Sequence, residues 1–122
     1  MWLEFRRVLF RSREMIYNLL DNAIKYNKQN GSVYVEVSEE HGKTKIALTD
    51  TGIGIPQNEQ ERIFERFYRT DRSRSKKTGG TGLGLAIVKH IVMAHSGSIK
   101  MTSKPEKGTK IIIYFPNVKE LN

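Results

Sequence analysis

The run Gly79-Gly80-Thr81-Gly82-Leu83-Gly84-Leu85 leads straight into Ala86-Ile87-Val88-Lys89. Four glycines in six positions surrender more backbone freedom on folding than any other choice of residue. Such a run belongs where the backbone must approach a ligand, with amide groups turned toward negative charge at the start of a helix. From Leu83 the residues Ala86, Ile87, His90, Ile91 and Ala94 recur at helical spacing, so a helix is expected to about His95, closed by Gly97. His90 falls on or near the apolar face and reads as structural.

Spacing tests three familiar glycine patterns. A Walker A loop needs Lys-Ser/Thr after its last glycine, and Gly84 is followed by Leu85-Ala86. The dinucleotide fingerprint matches at Gly80 and Gly82 but meets Leu85 where a third glycine belongs, and it lacks a strand directly before it. The glycine loop of protein kinases fails on the same spacing. Residues 70–80 contain no apolar residue and have the Arg-, Lys-, Ser- and Gly-rich composition of a lid.

Upstream, Met15, Ile16, Leu19, Leu20, Ala23 and Ile24 form a wide apolar stripe that predicts a helix from Glu14 to Asn27. Asn18, Asn22 and Tyr26 stand four apart on one face beside it, with Lys25 adjoining. Two asparagines one turn apart in mid-helix are unexpected, because Asn prefers caps and turns. A carboxamide oxygen is a hard, neutral ligand suited to Mg²⁺ that also keeps waters and phosphate oxygens; the alternative is a solvent-facing polar strip.

Gln29-Asn30-Gly31 is a turn. Val33, Val35 and Val37 then alternate as a half-buried strand, and a hairpin loop over 39–43 returns the chain along Thr44–Thr49. Asp50-Thr51-Gly52-Ile53-Gly54-Ile55-Pro56 ends that strand. Asp50 can accept from an exocyclic amine, and Gly52 and Gly54 permit close approach, although an Asx-type turn closing a strand has the same composition. A helix is expected from about Glu59 to Tyr68, with Ile63, Phe64 and Phe67 inward. Ser98–Ser103 and Thr109–Phe115 make a closing hairpin; Ile111, Ile113 and Phe115 alternate with Ile112 and Tyr114, which makes the last strand central. The result is an α+β, two-layer sandwich, a mixed sheet of at least four strands against three helices on one face.

The 122 residues carry a net charge of +8, no cysteine and 38% hydrophobic residues. Absence of cysteine excludes disulfides and thiolate chemistry, and no apolar run reaches the length of a membrane span. The charge excess sits in residues 62–77 and in residues 1–13, not over one face. It suits a polyphosphate or acidic partner at least as well as nucleic acid, and the basic loop lacks the interleaved aromatics of a nucleic-acid module. Residues 1–13 form an atypical Arg-rich leader, a foreign or truncated end; 14–116 form the domain, which is expected to be truncated at its N-terminus; 117–122 form a polar tail.

Four boxes in order then carry a resemblance: Asn18-Leu19-Leu20-Asp21-Asn22-Ala23-Ile24-Lys25-Tyr26, Asp50-Thr51-Gly52-Ile53-Gly54-Ile55, Ile63-Phe64-Glu65-Arg66-Phe67-Tyr68-Arg69 and Gly80-Thr81-Gly82-Leu83-Gly84-Leu85-Ala86-Ile87, with Gly108-Thr109 as a weaker fifth. Over residues 14–116 the chain resembles the ATP-binding catalytic domain of a bacterial sensor histidine kinase, in the superfamily shared with gyrase, the ninety-kilodalton heat-shock chaperone and the mismatch-repair ATPase. The resemblance implies ATP and Mg²⁺ as cofactors. Asn22 would coordinate the metal with Asn18 nearby, Asp50 would take the adenine amino group, and Gly52, Gly54 and Ile55 would shape the base pocket. Tyr26 would pack on the adenine ring, and Lys25 and Arg66 would reach phosphate oxygens. Gly80, Thr81, Gly82, Leu83 and Gly84 would form the hinge of the lid and its phosphate-facing amides.

It further implies transfer of the γ-phosphoryl to a histidine of a separate dimerisation domain and onward service to a response-regulator receiver domain. The setting would be cytoplasmic, with a membrane-anchored parent, no nucleic acid and no direct membrane contact by this fragment. None of His41, His90 and His95 has the context of a phosphoacceptor, so this chain alone is expected to bind ATP without autophosphorylation. An ATPase or serine protein kinase of the same superfamily is the alternative. Members that hydrolyse ATP typically carry a glutamate one turn before Asn22, where Asn18 stands here, an amide that cannot take a proton from water. A basic nucleic-acid-binding module is the remote alternative.

Overall fold

A computed structural model describes residues 2–65 and 84–116, with side chains described from Arg13 onward. Helix α1 spans Trp2–Lys25. It starts well before the expected Glu14 and runs through the Arg-rich leader without a break. The physical reason is local: no glycine or proline occurs from Trp2 to Lys25, so no residue there interrupts the hydrogen-bond ladder. Met15, Leu19 and Ala23 are buried on its inner face.

Strands β1 (Val33–Glu40) and β2 (Lys43–Asp50) form the first hairpin, turned at His41 and Gly42, both with positive φ. After β2 the chain passes Pro56 into a single 3₁₀ turn, Gln57–Glu59. Helix α2 spans Gly84–Ala94. The closing hairpin is β3 (Ser98–Lys104) and β4 (Gly108–Pro116). The four strands lie in the order β1-β2-β4-β3. Every described pairing is antiparallel, in place of the mixed sheet expected, because sequence neighbours pair as hairpins and β4 inserts beside β2. β4 is central, as its two apolar faces predict.

The register stacks residues in rows across the sheet. Val35, Leu48, Ile111 and Met101 form one row, and Val37, Ile46, Ile113 and Ile99 the next. On this face Leu48, Ile111 and Ile113 meet Met15, Leu19 and Ala23 of α1 and Val88, Ile91 and Val92 of α2 in one core. Each fully buried aliphatic side chain here contributes about 1.5–3 kcal/mol. The helix layer covers only the start of the edge strand β1: Val33 packs against the core, but Val35 and Val37 stay 47% and 66% exposed, contrary to the half-buried strand expected.

Two further expectations change. The segment expected to begin a helix at Glu59 is wound by i→i+3 bonds, from Glu59 N to Pro56 O (2.9 Å), Arg62 N to Glu59 O (3.0 Å) and Glu65 N to Arg62 O (2.9 Å); its continuation, including Phe67, lies outside the described residues. Ile63 is buried as expected, and Lys89 of α2 sits over the Phe64 ring at 6.0 Å from its centroid. His90 is exposed, since Val88, Ile91 and Val92 take the inner face of α2. Among the described residues no helix is long and apolar enough to cross a membrane.

Candidate functional site

On the core-facing side of the sheet, the row beyond Val35, Leu48, Ile111 and Met101 is polar on three of its four strands. Val33, Asp50, Thr109 and Ser103 lie side by side across β1, β2, β4 and β3, at the end of the sheet where β2 gives way to the glycine loop. Asp50 is the last residue of β2. Its Oδ1 accepts from the amide of Gly52 at 2.9 Å and from that of Thr109 at 3.3 Å. Both bonds fall on Oδ1, and Oδ2 takes none from the described residues. Burial pushes the Asp50 carboxyl above the usual aspartate value, and the two amides pull it partly back. A half-buried carboxylate with one oxygen anchored and one open is arranged to accept a hydrogen bond from a ligand amine.

The loop after Asp50 is fixed from two sides. Ile53 N donates to Tyr26 O at the end of α1 (3.1 Å), and Glu106 N donates to Ile53 O from the β3–β4 turn (2.7 Å). A Cβ on Gly52 would run into the carbonyl of Tyr26, and no side chain can enter at Gly54 or Gly108 either. Both have positive φ, 70° and 104°. A Cβ on Gly54 would run into the carbonyl of Lys104, and one on Gly108 into the carbonyl of Asp50. The hairpin turn and the loop therefore touch backbone to backbone, which only glycine permits.

A second set of polar groups joins α1 to this loop. Asn27 Oδ1 accepts from Thr51 Oγ1 (3.1 Å) and Lys28 N (2.9 Å), while its Nδ2 donates to Ser32 O (3.0 Å). Thr51 Oγ1 in turn accepts from Ser32 N at 2.8 Å. The loop is thereby held to the end of the helix that carries the asparagines.

Asn18, Asn22 and Lys25 occupy the last turns of α1, Tyr26 follows directly, and Gly84 opens α2 beside Asn18. A Cβ on Gly84 would stand 3.5 Å from Asn18 Oδ1, so this carboxamide oxygen faces the start of α2; Asn18 Nδ2 is taken by Glu14 O at 2.9 Å. The side chain of Asn22 is half-buried and makes no hydrogen bond to the described residues. Lys25 Nζ lies on Asp21 Oδ2 at 3.0 Å, an i,i+4 pair. The start of α2 adds the positive end of an eleven-residue helix to the same region. The neutral carboxamide oxygens of Asn18 and Asn22 suit a magnesium ion held mainly by phosphate and water oxygens; among the described residues no group of three His, Cys, Asp or Glu could hold a metal.

The structure thus brings together Asn18, Asn22 and Gly84 at one end and Asp50, Gly52, Gly54 and Ile55 at the other, joined through Tyr26. Tyr26 enters through its backbone carbonyl as well as its half-buried side chain. Arg66, Gly80, Thr81, Gly82 and Leu83 lie outside the described residues. Sequence reasoning passed over Ser103, Gln60 and the Asn27–Thr51 pair, and saw Thr109 only through its weak Gly-Thr box. Ser103 and Thr109 flank the 104–108 turn, so their pairing is legible from the hairpin. That β4 lies beside Asp50 is a long-range fact with no local signal.

Comparison with known proteins agrees with this fold. The family described as histidine kinase-, DNA gyrase B- and HSP90-like ATPase matches residues 9–119. The sensor-like histidine kinase SenX3 of Mycolicibacterium smegmatis is 48% identical over 101 residues, 83% of this chain and 26% of that protein. The sensor histidine kinase WalK of Bacillus subtilis is 44% identical over 109 residues, 88% of this chain and 18% of that protein. The chain therefore spans about a quarter or less of the curated relatives it matches. Among solved structures, the mycobacterial sensor histidine kinase MprB superposes with a TM-score of 0.75 at 36% identity, covering 84% of this chain and 70% of that one. Full-length ShkA, solved in complex with AMPPNP, gives 0.75 at 31% identity, covering 87% of this chain and 21% of that one.

Proposed function

Because the chain belongs to the histidine kinase-, DNA gyrase B- and HSP90-like ATPase family, as an ATP-binding catalytic domain of the sensor histidine kinase kind, we propose that it presents ATP–Mg²⁺ to a histidine on a separate dimerisation domain. Asp50 carries this reading. Its open Oδ2 accepts from the adenine 6-amino group while Gly52 and Thr109 keep Oδ1 in place. Ile53–Ile55 line the base, and Tyr26 packs against its ring.

At the other end the phosphates lie between the asparagine face of α1 and the start of α2. Asn22 would hold Mg²⁺ with Asn18 in support; when bound, the ion would supply charge neutralisation at the phosphates. Lys25 leaves Asp21 for a phosphate oxygen, and Arg66, Gly80, Thr81, Gly82 and Leu83 complete the phosphate side. The chain's own work is positioning and charge neutralisation. Asn18, whose amide nitrogen is spent on Glu14 O, offers no base for water, which favours transfer to a protein acceptor over hydrolysis. The acceptor passes its phosphoryl group to a receiver domain of a response regulator, in the cytoplasm and under a membrane-anchored parent.

His41 at the β1–β2 turn and His90 and His95 on or after α2 are not acceptors, so the isolated chain binds ATP without labelling itself. Calorimetric titration with ATP, with and without Mg²⁺, tests the assignment: Asp50→Asn should abolish most of the affinity, and Asn22→Ala should remove its Mg²⁺ dependence. Unchanged affinity in the first, or intact metal dependence in the second, would refute the roles. Radiolabel from [γ-³²P]ATP appearing on a histidine of the isolated chain would refute the need for a separate acceptor.

A further inference from the structure

Beside the base loop, the Ser103 hydroxyl has three polar partners. Its Oγ accepts from Ile55 N at 2.8 Å and donates to Gly108 O at 3.0 Å. It also lies 2.8 Å from Thr109 Oγ1; with the serine proton on Gly108, the threonine hydroxyl is the donor of that pair. The Ser103 carbonyl accepts Gln60 Nε2 at 3.0 Å, and the same nitrogen reaches Ile55 O at 2.9 Å. Ile55 is thus fastened at its amide by Ser103 and at its carbonyl by Gln60. Ser103 makes no hydrogen bond to Asp50. Its neighbour Thr109 does, through the amide that fixes Oδ1.

The geometry points to Ser103 as a positioning residue for base selection, assisted by Gln60. One hydroxyl ties the 52–55 loop to the strand that orients Asp50, and so sets the gap between the loop and the carboxylate. Adenine offers a donor at its 6-position, whereas a 6-oxopurine offers an acceptor there that a carboxylate repels. How sharply the two are separated depends on how firmly the base is held against Oδ2. This rests on the reading of Asp50 as the base acceptor. A Ser103 that merely welded a hairpin would, when lost, lower the folded fraction and weaken all nucleotides alike.

The test is calorimetric titration of the full 122-residue chain with ATP and with inosine triphosphate, in Mg²⁺, for the unaltered protein, Ser103→Thr, Ser103→Val, Gln60→Met and Asp50→Asn. Thr and Val have one shape and suit a strand equally, so they differ only in the hydroxyl. Ser103→Thr should keep the ATP-over-inosine-triphosphate ratio. Ser103→Val should lower it about tenfold and Gln60→Met about threefold, the range expected for one or two partly buried hydrogen bonds. If Asp50→Asn collapses the ratio while Ser103→Val leaves it unchanged, the Ser103 assignment is overturned and the base reading stands. If Asp50→Asn leaves the ratio unchanged, both fail. Should Ser103→Val not fold, Gln60→Met decides: a ratio equal to that of the unaltered chain overturns the proposal.

Discussion

Thr109 donates its backbone amide to Oδ1 of Asp50 across 59 residues of sequence, at 3.3 Å. That bond and its partner from Gly52 pull the Asp50 carboxyl toward ionisation, but burial outweighs them and the carboxyl stays above the ordinary 3.8. A carboxyl whose folded value is raised binds its proton more tightly when folded. Its contribution to stability is therefore present below the unfolded value and lost as pH rises through the folded one. Base recognition runs the opposite way, since the amine needs the carboxylate. ATP affinity should fall on acidification at a higher pH than an ordinary aspartate would give, read by titration across the acid range. Asp50→Asn should leave thermal stability at neutral pH unchanged or slightly raised while it weakens ATP binding toward the level of inosine triphosphate. A variant that lost both together would show that Asp50 is structural.

The backbone contact between the loop and the hairpin turn predicts a hierarchy among the positive-φ glycines. Gly42, Gly54 and Gly108 have φ of 75°, 70° and 104°, yet nothing lies within 4 Å of a Cβ on Gly42. Gly42→Ala should cost only the left-handed backbone penalty, about 1 kcal/mol. Gly54→Ala and Gly108→Ala add a collision with a carbonyl and should cost about 3 kcal/mol or more. Urea unfolding of the three variants distinguishes the cases, and equal midpoints for all three would show that the contact between turn and loop is slack.

Much of this was legible in the chain because it is local. The stripe Met15-Leu19-Ala23, the two hairpins and the abrupt strand end at Asp50 each follow from spacing over a few residues. What was not legible is long-range. The polar row exists because β4 inserts beside β2, which brings Thr109 and then Ser103 level with Asp50. No periodicity marks a serine at the end of β3 as different from any other strand-end serine. The exposure of Val35 and Val37 has the same origin: alternation says that they share a face with Leu48 and Ile46, and only the placement of α1 and α2 says that this part of the face is left uncovered.

The end of α2 shows a smaller mismatch. Gly97 N donates to Val92 O at 2.8 Å and Ser96 N to Met93 O at 3.1 Å, a Schellman closure whose left-handed residue is Ser96, with φ of 59°. The glycine sits one residue too late to relieve the strain. Its place there has a different cause, since a Cβ on Gly97 would press on Tyr114 O and the Phe115 ring. Ser96→Gly should raise stability by about 0.5–1 kcal/mol, the left-handed penalty less the extra entropy of glycine in the unfolded chain. Thermal melts should register it as an increase of about 2–5 °C, and a lower melting temperature would count against this geometry.

The ion pair between Lys25 and Asp21 sets the last prediction. At 3.0 Å, with side chains 37% and 39% exposed, it contributes little to stability, about 0–1 kcal/mol. Its meaning is competitive: while the ammonium rests on Asp21 it is withheld from phosphate, and ATP must draw it away. Asp21→Asn frees the lysine and should tighten ATP binding about two- to threefold at low salt, with the gain fading as ionic strength rises. Lys25→Met should weaken binding about tenfold, the scale of one charge-assisted hydrogen bond. The double variant should match Lys25→Met, because without the lysine there is nothing for Asp21 to hold. If Asp21→Asn still tightened binding in the Lys25→Met background, the aspartate would be acting on the phosphates by direct repulsion, and the lysine would have no part in reaching them.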